Sequence, residues 1–182
     1  MELPSFKANK ELYIKVRVME AIEEIQLSLY MLRTGFLRNS ASKTFMAFKA
    51  FLSALVGANM NSILKMKSKD EGERYKKRGY SVSTRSIKGI SQDLDRLGFK
   101  NVSYVGDRAI NLHSYQYNGL DPDFSPYRNK EELIRDIISV DEFILSSLRE
   151  WLSNFFDDEI KTSYDKTAGE LKKIKEELKL FL

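Results

Sequence analysis

The stretch Asp107-Arg108-Ala109-Ile110-Asn111-Leu112-His113-Ser114-Tyr115 puts the only histidine of the chain five residues after an arginine and two before a tyrosine. These side chains suit acid–base work on a phosphate ester. An imidazole with a pKa of about 6.5 takes or delivers a proton near neutral pH. A guanidinium holds the charge that builds on phosphate oxygens. RNA asks for little more, because its own 2′-hydroxyl can attack the adjacent phosphate without a metal or a protein nucleophile. One histidine cannot be acid and base in a single step, so two chains across a two-fold axis would supply both.

Spacing constrains this chemistry. On a straight helix, residues five apart differ in direction by about 140°. Arg108 therefore shares a stripe with Asn111, Leu112 and Tyr115, while His113 aligns with Ala109, Ile110, Gln116 and Tyr117. The pair converges only through the length of arginine, a helix irregularity or a partner chain. A packing role stands beside the chemical one. His113 sits between Leu112 and Ser114 like a packed, hydrogen-bonded residue. Arg108 has Asp107 or Asp93 as salt-bridge partners, and Tyr115 and Tyr117 fit core or interface positions.

Composition narrows the alternatives. The 182 residues include no cysteine and one histidine, which excludes disulfides, Cys-ligated zinc, iron–sulfur clusters, thiol catalysis and multi-histidine metal sites. Asp121, Asp123 and the run Asp157-Asp158-Glu159 could hold a hard cation, but they read better as turn residues and a helix end. No phosphate-cradling glycine loop or dinucleotide fingerprint occurs. Neither metal nor cofactor is expected. The apolar runs are shorter than the ~20 residues of a membrane span, and MELPSFKANKE lacks the apolar core of a signal peptide, so a cytoplasmic protein is expected.

The net charge of +4 has an address. Residues 65–80, KMKSKDEGERYKKRGY, hold seven basic side chains against three acidic ones, an excess equal to that of the whole chain. Lys65, Lys67, Lys69, Arg74, Lys76, Lys77 and Arg78, with Tyr75 and Tyr80 nearby, offer phosphate contacts and stacking faces. The segment has lost the apolar rhythm of its neighbours and reads as a basic mobile loop over 65–83, or as a frayed helix end.

The elements that position these residues are helical. Ile14, Val18, Ile22, Ile25, Leu29 and Leu32 form one stripe that stops at Gly35. A second helix starts near Asn39 or Ser40 and carries Phe45, Phe48, Leu52 and Leu55, which makes an antiparallel hairpin across a short turn. A short helix with Ile87, Ile90, Leu94 and Leu97 ends at Gly98, and residues 101–117 form the next. Asn129 followed by Glu132 is a capping box opening a long helix with Leu133 to Phe155 on its inner face. A last helix, over 159–182, carries Leu171, Ile174, Leu178 and Phe181 in a narrow seam that would dock on the body or on a second subunit. The expected fold is all-α: a bundle of five to six helices over residues 1–158, plus that final helix.

Two stretches resemble the HEPN superfamily of small all-α domains. One is the hairpin from Ser28-Leu29-Tyr30 to Phe48-Lys49-Ala50-Phe51-Leu52, with Gly35 at its turn. The other is Arg108-x4-His113-x-Tyr115, similar to the Arg-x4-6-His signature of HEPN ribonucleases, although Ala109 stands where active members commonly carry a polar residue. The continuation Leu112-His113-Ser114-Tyr115-Gln116-Tyr117-Asn118-Gly119 also looks like archaeal PaREP-type proteins. The resemblance covers about residues 10–155. It implies a homodimer, RNA or a nucleotide as ligand, and metal-independent RNA cleavage by Arg108 and His113 at the dimer cleft. It further implies Asn111 and Tyr115 as accessory residues, with Tyr115 a modification target. A toxin of this kind would have an antitoxin or nucleotidyltransferase partner. The competing expectation is a non-catalytic dimerisation or partner-binding module.

Overall fold

The computed structural model describes residues 4–179 and, among them, helices and no strand. Two long helices form the centre. α1 (Lys10–Arg33) begins where the Asn9 carboxamide accepts the Leu12 N–H at 2.9 Å and ends at Gly35, whose φ of +80° lets the chain reverse. α2 (Leu37–Met66) returns along it and continues well beyond the apolar stripe read from the sequence. Asn59 interrupts α2 with non-helical dihedrals, and its side-chain amide donates to the Leu55 carbonyl at 2.9 Å. Between the two helices lie Ile14, Val18, Ile22, Ile25, Phe48, Phe51, Leu52 and Leu55, all essentially inaccessible. Burying each such side chain contributes roughly 1.5–3 kcal/mol. α2 is long and apolar enough to cross a bilayer, contrary to what the apolar runs indicated, but 67% of its most apolar window is buried inside the bundle.

Residues 65–80 are not a loop. Lys65 belongs to the last turn of α2, and α3 (Lys69–Arg78) opens with a capping box in which Ser68 and Glu71 each accept the other's backbone N–H. Two short 3₁₀ turns, Gly79–Ser81 and Thr84–Ser86, lead into α4 (Ile87–Arg96). α5 (Val102–Asn118) starts under the Asp95 carboxylate, which accepts the Val102 N–H at 2.9 Å. α6 (Lys130–Leu152) has half of the anticipated capping box: the Glu132 N–H donates to Asn129 Oδ1 at 2.9 Å, but the Glu132 carboxylate accepts the Arg128 N–H at 2.9 Å instead of that of Asn129. α7 (Asp158–Lys179) docks on α1: Arg33 pairs with Glu170 at 2.9 Å and Glu177 at 2.7 Å, and Gln26 donates to the Thr167 hydroxyl at 2.8 Å. The final helix thus packs on the body through Leu171 and Ile174, while Phe181 lies outside the described residues. Among the described residues six α-helices precede α7, as the expectation of five to six helices plus a final one allows, and α3 is the helix that stands where a loop is expected.

Candidate functional site

α5 packs against α2, α4 and α6. Ala109 and Leu112 face inward, leaving Arg108 and His113 on its two flanks, as the helical angle demands. On the α6 flank, Arg108 donates to Ser139 Oγ at 3.0 Å and to Tyr104 Oη at 2.6 Å, and pairs with Asp136 at 3.1 Å. Its guanidinium carbon also stands 4.7 Å from the centre of the Tyr104 ring. Asp136 accepts a further hydrogen bond from Tyr127 Oη at 3.0 Å. Burial, and then the Asp136 charge, push the Tyr127 phenol well above its ordinary range. The salt-bridge partner of Arg108 is therefore Asp136, not Asp107 or Asp93.

On the α2 flank, the half-buried His113 ring stacks on Phe45 with centroids 4.2 Å apart and planes 16° from parallel, and the exposed Tyr117 meets it edge-on at 5.2 Å. His113 Nδ1 is buried without a hydrogen-bond partner among the described residues. Among the described residues, the imidazole and the guanidinium of one chain have separate partners on the two flanks of α5. Asn111 is exposed. Tyr115 is 5% exposed and lies edge-on to Tyr127 at 5.8 Å, and burial raises its phenol pKa. The residue as a whole is thus withdrawn from solvent in the folded chain.

One buried acid gave no signal in the sequence. Asp141 on α6 is fully buried beneath this region, where Ser28 Oγ donates to Oδ2 at 3.1 Å and bonds Thr44 Oγ1 at 2.8 Å. Burial pushes its pKa up to about 8, against the opposing pull of the Thr44 and Ser28 hydroxyls. Its Oδ1 has no partner among the described residues. Apolar residues at helical spacing around it, Ile137, Val140, Ile144 and Leu145, hide the acid in a core face.

The basic segment is a folded surface. Tyr75 Oη donates to Asp93 at 2.5 Å and Lys67 pairs with Asp93 at 2.7 Å, so α3 is tied to α4. Burial and then Asp93 push the Tyr75 phenol well above its ordinary range. Gly72 is buried, and a Cβ there would meet the Leu64 side chain at 3.5 Å. Lys67 is thereby a structural cation rather than a free phosphate contact, and Lys76 pairs with Glu73 at 2.7 Å on the surface. Lys65, Lys69, Arg74, Lys77 and Arg78 are exposed and make no ion pair among the described residues. Arg85, absent from the sequence-based set, joins them because the 3₁₀ turns fold it back beside Arg74 and Arg78.

No group of three or more candidate metal ligands occurs among the described residues. Asp121 Oδ1 accepts the N–H groups of Asp123 and Phe124 at 2.9 and 3.2 Å, an Asx turn, and Asp157 caps α7 by accepting the Ile160 N–H at 3.0 Å. In comparisons with known proteins, residues 16–138 match the model of the archaeal PaREP1/PaREP8 family. No curated protein matches the chain, and no solved structure matches it.

Proposed function

The chain belongs to the archaeal PaREP1/PaREP8 family, and on that premise we propose that it is an RNA-binding helical domain whose contact surface is α3 with the end of α2. One observation supports this most: five exposed basic side chains between Lys65 and Arg78 have no carboxylate partner among the described residues. Cations of this kind gain from phosphates by releasing condensed counterions. A capped, docked helix also holds them in fixed register, so little ordering cost remains on binding. Fluorescence anisotropy with a single-stranded RNA at rising salt tests the reading. Log affinity should fall with log salt by about 0.7 per phosphate neutralised. A Lys69→Glu/Lys77→Glu variant should lose affinity and flatten that slope. Binding that ignores salt, or a variant that binds like the parent, defeats the proposal.

A second reading rests on His113, whose Nδ1 lacks a partner beside the exposed Tyr117. In a HEPN-like homodimer, two copies of α5 would meet, and Arg108 of one chain would face His113 of the other. The RNA 2′-hydroxyl would give its proton to the neutral imidazole of one chain as its oxygen bonds to phosphorus, and the 5′-oxygen would leave with a proton from the protonated imidazole of the other, giving a 2′,3′-cyclic phosphate and a 5′-hydroxyl end. Such an enzyme, of toxin or defence type, would be held by an antitoxin or nucleotidyltransferase partner in the cytoplasm. Its test is cleavage that survives EDTA, disappears in His113→Ala and requires a dimer by light scattering. Intact RNA under these conditions leaves the binding role alone.

A further inference from the structure

Beside α3 lies a cavity of about 400 Å³ between the helix, the 3₁₀ turns and the first turns of α4. Arg74, Arg78 and Arg85 line it, and none of the three has an ion pair among the described residues. Arg74 and Arg78 stand four residues apart on one face of α3, and Arg85, from the second 3₁₀ turn, lines the same cavity. Three arginines around one concavity, none of them paired with a carboxylate among the described residues, repel one another unless an anion joins them. The single carboxylate on the wall, Asp93, is already matched by Lys67 and by the Tyr75 hydroxyl, so it does not oppose an anion there.

The cavity is also built rather than incidental. The turn that closes it is fixed from below: Tyr13 Oη donates to the Tyr80 carbonyl at 3.1 Å, Ser53 Oγ donates to the same oxygen, and Phe6 stacks on Tyr80 at 4.4 Å. Val82, buried in the core, holds a φ of +30°, a conformation that β-branched residues adopt only when their surroundings impose it. A Cβ on Gly79 would collide with the Tyr75 ring, so the backbone there can approach that ring only as glycine. The Tyr75 ring and Ile90 provide an aromatic and an apolar wall.

We propose that this cavity binds the terminal phosphate monoester of a nucleotide, either free or at the 5′ end of an RNA strand. A monoester carries about −1.5 to −2 charges at neutral pH, which matches three arginines better than the single charge of an internal phosphodiester. Arginine forks bind such an oxygen set in bidentate fashion. An internal phosphodiester must also lead the chain into and out of the concavity, whereas a terminal one leads it out once. The volume suits a mononucleotide, at the small end of ligand cavities.

The RNA-end form of this inference rests on the RNA-binding reading above; the free-nucleotide form does not. Two titrations by anisotropy and calorimetry separate them. In the first, adenosine 5′-monophosphate, adenosine and inorganic phosphate are compared. In the second, one single-stranded RNA is compared with a 5′-phosphate and with a 5′-hydroxyl. The phosphorylated member of each pair should bind about tenfold more tightly or better. Arg74→Ser, Arg78→Ser and Arg85→Ser should each abolish most of that preference with an unchanged circular dichroism spectrum, while Lys130→Ser, which removes a remote charge, should keep it. Nucleotide binding without RNA binding supports the cavity and overturns the RNA reading. RNA binding blind to the 5′ end, with no saturable adenosine 5′-monophosphate binding, overturns the cavity and leaves the RNA reading standing.

Discussion

Arg108 on α5 and Arg78 on α3 are both exposed enough to meet a ligand, but their surroundings differ. Arg108 is engaged by Asp136, Ser139 and Tyr104, and its carboxylate partner is shared with Tyr127. Arg78, with Arg74 and Arg85, faces open space and has no carboxylate partner among the described residues. On the α6 flank of α5, Arg108, Asp136 and Tyr127 already satisfy one another. At the α3–α4 end, charge of one sign is assembled and left unsatisfied. A folded chain keeps the first arrangement because it stabilises the fold, whereas the second contributes nothing to stability and is expected where something binds.

The largest test of this difference is Phe45→Ala. Phe45 is buried and stacks on His113, so its loss should cost about 3–5 kcal/mol in urea unfolding. A cost below about 1 kcal/mol would show that packing does not hold the His113 ring, and α5 would regain its claim to chemistry. The next effect is read from pH. The unfolded Asp141 ionises near about 3.9, whereas the folded one keeps its proton up to about 8. Between these values the native state binds the extra proton, so stability falls as pH rises, by about 1.4 kcal/mol per unit, and levels off outside the window. Asp141→Asn, with nothing to ionise, should remove that slope. A slope that persists in the variant would place the titrating group elsewhere.

A smaller change is expected from Arg108→Ala. Removing a partly exposed guanidinium that bridges a carboxylate and two hydroxyls should cost about 1–2 kcal/mol and expose the pairing of Asp136 with Tyr127. Arg108→Lys should recover only part of it, since an ammonium lacks the fork that reaches Asp136, Ser139 and Tyr104 together. Equal stability of Arg108→Ala and the parent, by thermal unfolding, would mean that the guanidinium is free for a substrate.

The sequence made these two ends unequally legible. The α1 stripe, Gly35, the stripe and stop of α4, and the Asn129 cap were readable because each depends on neighbours within a turn or two. α3 was not, because its only inward groups are Gly72 and the partly buried Tyr75, and its hold on the body comes from Asp93, distant in sequence. Its one local signal was Ser68 three residues before Glu71, a helix start without an apolar run behind it. The arginine–histidine spacing correctly placed Arg108 and His113 on different flanks of a helix. The partners that decide their roles, Asp136 and Phe45, lie on α6 and α2, where spacing carries no information. Arg85 escaped notice for the same reason: it reaches Arg74 and Arg78 only through the reversal at residues 79–86.

The smallest expected change in stability is the most discriminating. Arg74→Ser, Arg78→Ser and Arg85→Ser should each leave unfolding within about 0.5 kcal/mol of the parent, because none of these residues is buried or ion-paired among the described residues. Removing one of three clustered cations relieves repulsion, so any shift should be upward, and it should fade as salt shortens the screening length to about 10 Å at 0.1 M. Inorganic phosphate should raise the melting temperature of the parent and not that of the triple variant, since only a folded cavity gathers the three guanidinium groups. Losses above about 1 kcal/mol in the single variants, without a response to phosphate, would show that these arginines are bonded into the fold as Arg108 is. The two ends of the molecule would then be alike, and the case for an anion site at α3 would fall with the difference.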